Sequence, residues 1–126
     1  MVLLKNDGLL PLSLSNSTSI AVIGDWANAT SQMQGNYFGI APYLHSPLYA
    51  AQQLGVKVNY AQGPGGQGDP TTDHWLPVWK AASQSDIIIY VGGVDISVEA
   101  EGMDRVNIDW TGAQLCLLYT SPSPRD

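Results

Sequence analysis

The sequence predicts an α/β fold: an open, mostly parallel sheet flanked by helices, a flavodoxin-like α/β sandwich, in truncated form. Three observations predict it: apolar β-branched runs that lack polar alternation, helix start and stop signals placed between those runs, and the regular alternation of the two element types along the chain.

The first run, Ile20-Ala21-Val22-Ile23, and the third, Ile87-Ile88-Ile89-Tyr90-Val91, lack the every-other-residue polarity of a half-buried strand. Such runs read as strands covered on both faces, as in a parallel sheet. Val56-Lys57-Val58-Asn59-Tyr60 does alternate, and is expected nearer an edge. Between the first two runs, Ser46 is placed to cap a helix that opens at Pro47 and stops at Gly55. Trp75 to Ala82 reads as a second helix, with Asp73 as its cap and Pro77 tolerable only in its first turn. Trp75 and Trp79, four apart, are expected to pack against the sheet. Thr111-Gly112-Ala113-Gln114-Leu115 reads as the opening of a third helix, and Gly63 to Gly68 as a loop. In an open parallel sheet the functional loops leave the carboxyl ends of the strands, so those starting at Gly24, Ala61 and Gly92 are the informative ones.

Residues 1–19 therefore read as a linker entering the domain, and residues 20–115 as a partial α/β sandwich. Residues 116–126 do not continue the preceding pattern. They resemble a translated sequencing adapter and are set aside as a non-native tail. Cys116, the single cysteine, falls in that tail, so neither a disulfide framework nor a cysteine metal site is expected. A remnant of a larger sheet leaves an open edge, so marginal stability is expected of the isolated chain.

Of the 126 residues, 44% are hydrophobic and only 13% charged, which suits a packed core. Eleven acidic residues against five basic ones give a net charge of -6, which offers nucleic acid or an anionic membrane no counter-charge. No run approaches the roughly 20 apolar residues of a membrane span, and the opening residues lack the charged-then-apolar pattern of a signal peptide. The sequons at Asn16 and Asn28 are glycan acceptors if the parent protein is secreted.

Four of the eleven acidic residues, Asp95, Glu99, Glu101 and Asp104, fall within ten positions after the third run. Crowded, partly buried carboxylates raise one another's pKa, which is how a carboxylic acid keeps a proton near neutrality. An ordinary solvated acidic loop is the competing reading. Gly24-Asp25 is no nucleotide-binding turn, because the next helix opens some twenty residues later rather than directly, so no cofactor is expected. Trp26 and Trp110 lie on the functional side, where an indole face can stack on a pyranose. His45 and His74 show no metal-ligand spacing, so no metal is expected, and both read as solvated or cap-proximal.

Several segments together resemble glycoside hydrolase family 3, in its β-xylosidase branch: VLLKNDGLLPL over residues 2–12, IAVIGDWA over 20–27, GNYFG over 35–39 followed by SPL over 46–48, VEAEGMDR over 98–105 and WTGAQL over 110–115. The resemblance implies a secreted retaining β-glycosidase that removes terminal β-1,4-linked xylose from xylo-oligosaccharides. It further implies a TIM-like barrel, absent from this chain, that carries the aspartate nucleophile, and an α/β sandwich that lends the acid/base. Residue by residue, the acid/base falls on Glu99, with Glu101 as the alternative, and Asp104 and Arg105 match a pair that shapes the loop. With one carboxyl of the catalytic pair missing, the chain alone is expected to be inactive. A non-catalytic carbohydrate-binding or interaction module and a nucleotide-binding domain are the other classes considered.

Overall fold

The computed structural model describes residues 2–63 and 75–120. Three strands, β1 (Ser19–Ile23), β2 (Lys57–Ala61) and β3 (Ile87–Tyr90), form one parallel sheet in the order β2-β1-β3. Helix α1 (Pro47–Gln52) links β1 to β2, α2 (Trp75–Ser83) precedes β3, and α3 (Gln114–Thr120) follows the long loop after it. The register sets Ile20 beside Val58 and Ile87, and Ile23 beside Ala61 and Tyr90. All three strand ends therefore finish on one side.

Side-chain alternation along β1 divides the core in two. Ile20 and Val22 pack with Ala27, Leu48 and Ala51 under α1, whereas Ala21 and Ile23 pack with Val78, Ala81, Ala82 and Leu117 under α2 and α3. The unbroken apolar run thus marks a strand with helices on both faces, as expected. β3 is less covered: it pairs with β1 alone among the described strands, and Ile88 is 37% exposed.

The local signals act as the sequence implies at α1. The Ser46 hydroxyl accepts from the Tyr49 N–H at 3.0 Å and donates to Asn28 Oδ1 at 2.9 Å, and Pro47 opens the helix. His45, exposed and next to this cap, stacks between the rings of Tyr43 and Tyr49 at 4.8 and 4.2 Å.

Two expectations need correction. In α2 the buried face is Val78, Ala81 and Ala82 with Trp75 against it, while Trp79 is 38% exposed. At about 100° per residue, Trp79 is turned well away from the centre of that face. Helix α3 begins at Gln114 rather than Thr111, because Gly112 takes a left-handed φ of 60° that no α-helix accommodates. Residues 116–120 continue α3, and Leu117, 3% exposed, joins the core. Asp73, His74 and most of the glycine-rich loop lie outside the described residues.

Candidate functional site

The strand ends are tied together by the backbone. Gly24 N–H donates to Ala61 O and Trp26 N–H to Val91 O, each at 3.2 Å, and Val91 N–H donates to Ile23 O at 2.7 Å. Gly24 has φ +123°, and a Cβ there would stand 2.3 Å from Val91 O, so only glycine allows this approach. Gly24-Asp25 is thus a structural crossing. Asp25, partly buried, lies close enough to the phenols of Tyr60 and Tyr90 for its charge to raise both above the usual tyrosine range, after burial has done so more strongly.

From β3 the chain passes through Gly92 and Gly93 into the acidic loop. The Asp95 side chain accepts from the Ser97 N–H and hydroxyl, and its backbone carbonyl accepts from Val98 N–H at 3.0 Å and Glu99 N–H at 3.1 Å. Ala100 and Met103 exchange two backbone hydrogen bonds, both 3.0 Å, around Gly102 at φ +75°. These local bonds make a tight turn, so the loop has a definite shape.

Glu99 Oε2 accepts from Arg105 Nε at 2.6 Å, and no described residue bonds its Oε1. The Glu99 side chain is 47% exposed and that of Arg105 27%. Glu101 and Asp104 are exposed. Of the four carboxylates only Asp95 is partly buried; Glu99, Glu101 and Asp104 are exposed, and Arg105 meets the charge of Glu99.

Arg105 and Asp104 line an open cleft of about 590 Å³ with Val106, Asn107 and Trp110. Trp110 is 48% exposed there. A second cleft, about 210 Å³, is lined by Trp26, Gln32, Met33, Gly93 and Asp95. Trp26 packs against Gly93, where an added Cβ would lie 3.2 Å from the indole, and its Nε1–H is buried and donates no hydrogen bond to a described residue. Glu99 and Glu101 line neither cleft. The structure thus joins Arg105, Asp104 and Trp110 in one concave surface, brings Glu99 to Arg105, and places Trp26 beneath the loop's root.

One residue escapes sequence reasoning. Gln114 is 2% exposed, and its amide bonds Gly93, Thr111 and Tyr90. The available signal was the WTGAQL segment, whose glutamine is a polar residue on the first turn of a helix that packs inward.

Among the described residues, no group of three or more His, Cys, Asp or Glu side chains converges to hold a metal ion, and no helix is long and apolar enough to cross a membrane. Asn16 and Asn28 are both exposed.

Residues 1–121 match the profile of the glycosyl hydrolase family 3 C-terminal domain. Over 118 residues the chain is 53% identical to a probable exo-1,4-beta-xylosidase xlnD of Aspergillus fumigatus, covering 94% of this chain and 15% of that protein. Over 120 residues it is 48% identical to the exo-1,4-beta-xylosidase xlnD of Aspergillus oryzae, again covering 94% and 15%. A solved GH3 exo-beta-xylosidase (XlnD), in complex with a xylobiose aziridine activity-based probe, superposes with a TM-score of 0.83 at 50% identity, covering 91% of this chain and 15% of that one. The chain spans about 15% of the length of the curated relatives it matches.

Proposed function

The chain belongs to glycosyl hydrolase family 3, within its C-terminal domain, and from that premise we propose that it is the part of a retaining β-xylosidase that lends the acid/base carboxyl to a barrel-borne nucleophile. The observation that carries this reading is the loop leaving the carboxyl end of β3: an ordered acidic turn, closed by the Glu99–Arg105 pair, that flanks a cleft walled by Trp110. Relatives named as exo-1,4-beta-xylosidases support terminal xylose on xylo-oligosaccharides as the substrate.

In retaining hydrolysis the two carboxyl groups stand roughly 5 Å apart across the scissile bond. The nucleophile displaces the leaving sugar to form a covalent glycosyl-enzyme while the acid hands its proton to the departing oxygen. That same carboxylate then takes a proton from the water that releases xylose. Glu99 fills this role, with one oxygen steadied by Arg105, and Glu101 is the alternative. Trp110 and Trp26 offer aromatic walls, and Asp104 and Arg105 shape the approach. Without the barrel's nucleophile the segment by itself is expected to show no turnover. The parent protein is secreted in this reading, consistent with exposed acceptor asparagines at 16 and 28.

The test is made in the full-length enzyme. Glu99→Gln is expected to depress kcat/KM for xylobiose by about 100-fold or more, while kcat/KM for a dinitrophenyl xyloside, whose leaving group needs no proton, changes far less. The same contrast from Glu101→Gln with Glu99→Gln near wild type would move the role to Glu101. Failure of both variants to separate the two substrates would remove the acid/base from this loop.

A further inference from the structure

We propose that Gln114 is the positioning residue for the acid/base loop, holding its root in register with the sheet through the backbone of Gly93. This rests on the acid/base reading of the loop given above.

Gln114 Nε2 donates to Gly93 O at 2.8 Å, and Gly93 N–H donates to Gln114 Oε1 at 2.8 Å. A single amide thus grips both backbone groups of one residue, as a neighbouring strand does in an antiparallel hydrogen-bonded pair. The remaining capacity is also used: Nε2 donates to Thr111 O at 3.1 Å and Thr111 Oγ1 at 3.0 Å, and Oε1 accepts from Tyr90 Oη at 3.3 Å. Burial makes an unsatisfied amide costly, so a fully bonded one at 2% exposure is held to one orientation.

The place gripped is where the loop would otherwise be loosest. Gly92 and Gly93 are the only residues between Val91 and the first side chain of the loop, and two successive glycines leave the backbone free to swing. Both are hemmed in. A Cβ on Gly92 would stand 2.8 Å from Gln114 Oε1 and 2.5 Å from the Tyr90 ring, and one on Gly93 would press on Trp26. Gly93 lies two residues before Asp95, whose carbonyl caps the turn bearing Glu99. On its other side Gln114 opens α3, which is seated in the core by Leu117. The link from α3 to the backbone of Glu99 therefore runs through the Gln114–Gly93 hydrogen bonds, the short stretch of chain to Asp95, and the Asp95 carbonyl.

Position is what a general acid needs. A displacement of about 1 Å at a reacting group can cost on the order of 100-fold in rate. Because kcat/KM reports only the steps up to the glycosyl-enzyme, where this carboxyl acts by donating a proton to the leaving oxygen, a misplaced loop lowers it selectively for substrates with poor leaving groups, whereas a loss of folded enzyme penalises all substrates alike.

The experiment compares Gln114→Glu, which keeps an acceptor and loses both N–H donors, with Gln114→Asn, one methylene too short to reach Gly93 and milder on folding. Each is made in the full-length enzyme and assayed on xylobiose and on a dinitrophenyl xyloside, with Glu99→Gln and Glu101→Gln alongside. The expected result is a loss of about 10- to 100-fold in kcat/KM for xylobiose against less than about 3-fold for the aryl xyloside. Equal losses on both substrates, or none, in whichever Gln114 variant folds would overturn the proposal. If neither glutamate variant separates the substrates, the acid/base reading fails. If one does and the Gln114 variants do not, only the positioning role falls.

Discussion

Ser19 and Asp86, 67 residues apart, are joined by a reciprocal set of hydrogen bonds: Asp86 Oδ2 accepts from the Ser19 N–H at 2.8 Å and its hydroxyl at 2.7 Å, and Asp86 N–H donates to Ser19 O at 2.9 Å. The pair ties the entry of β1 to the entry of β3, upstream of the register that aligns the strand ends.

These bonds, the Ser19 hydroxyl first and its N–H second, hold the Asp86 carboxyl below its usual pKa. A depressed acid stabilises the fold above its unfolded value and loses that contribution as pH falls through the folded one. The stability of the native chain is therefore expected to drop on acidification below about pH 4, and Asp86→Asn to flatten that drop while lowering stability at neutral pH. Unfolding midpoints of the two proteins measured across this range check it; superimposable acid limbs would contradict it.

At the other end of the sheet the sign is reversed. Burial, and secondarily the charge of Asp25, push the Tyr90 phenol up to about 12. The unfolded chain loses this proton near pH 10, so the folded state is favoured below that value and loses the advantage as pH climbs toward 12. Tyr90→Phe is expected to remove this part of the alkaline destabilisation. In a spectrophotometric titration, Asp25→Asn is expected to bring tyrosinate formation to lower pH, and an unmoved curve would count against the Asp25 contribution.

Gly24→Ala is expected to destabilise the chain by more than about 2 kcal/mol, since a side chain at that φ meets the Val91 carbonyl with no room to yield. Gly39→Ala, where no atom lies within 4 Å of the new Cβ, serves as the control and is expected to change little. Thermal unfolding of both variants measures the contrast, and comparable midpoints would show that the strand ends can relax around a methyl group.

The linear sequence determined the elements and their layering. Ile20 to Ile23 announces a strand buried on both faces, Ser46 and Pro47 a helix start, and the alternation of runs a parallel sheet, because burial, capping and backbone propensity act over a few residues. It also marked Asp95 to Arg105 as the concentrated acidic segment, a property of composition alone. Tertiary structure decided which of those groups meet. That Glu99 pairs with Arg105, that Trp26 backs onto Gly93, that Asp25 acts on two tyrosines from other strands and that Gln114 clamps the loop from 21 residues away are relations of register and close approach. No local pattern encodes them, since each depends on which strand lies beside β1 and on where two glycines let the backbone come near.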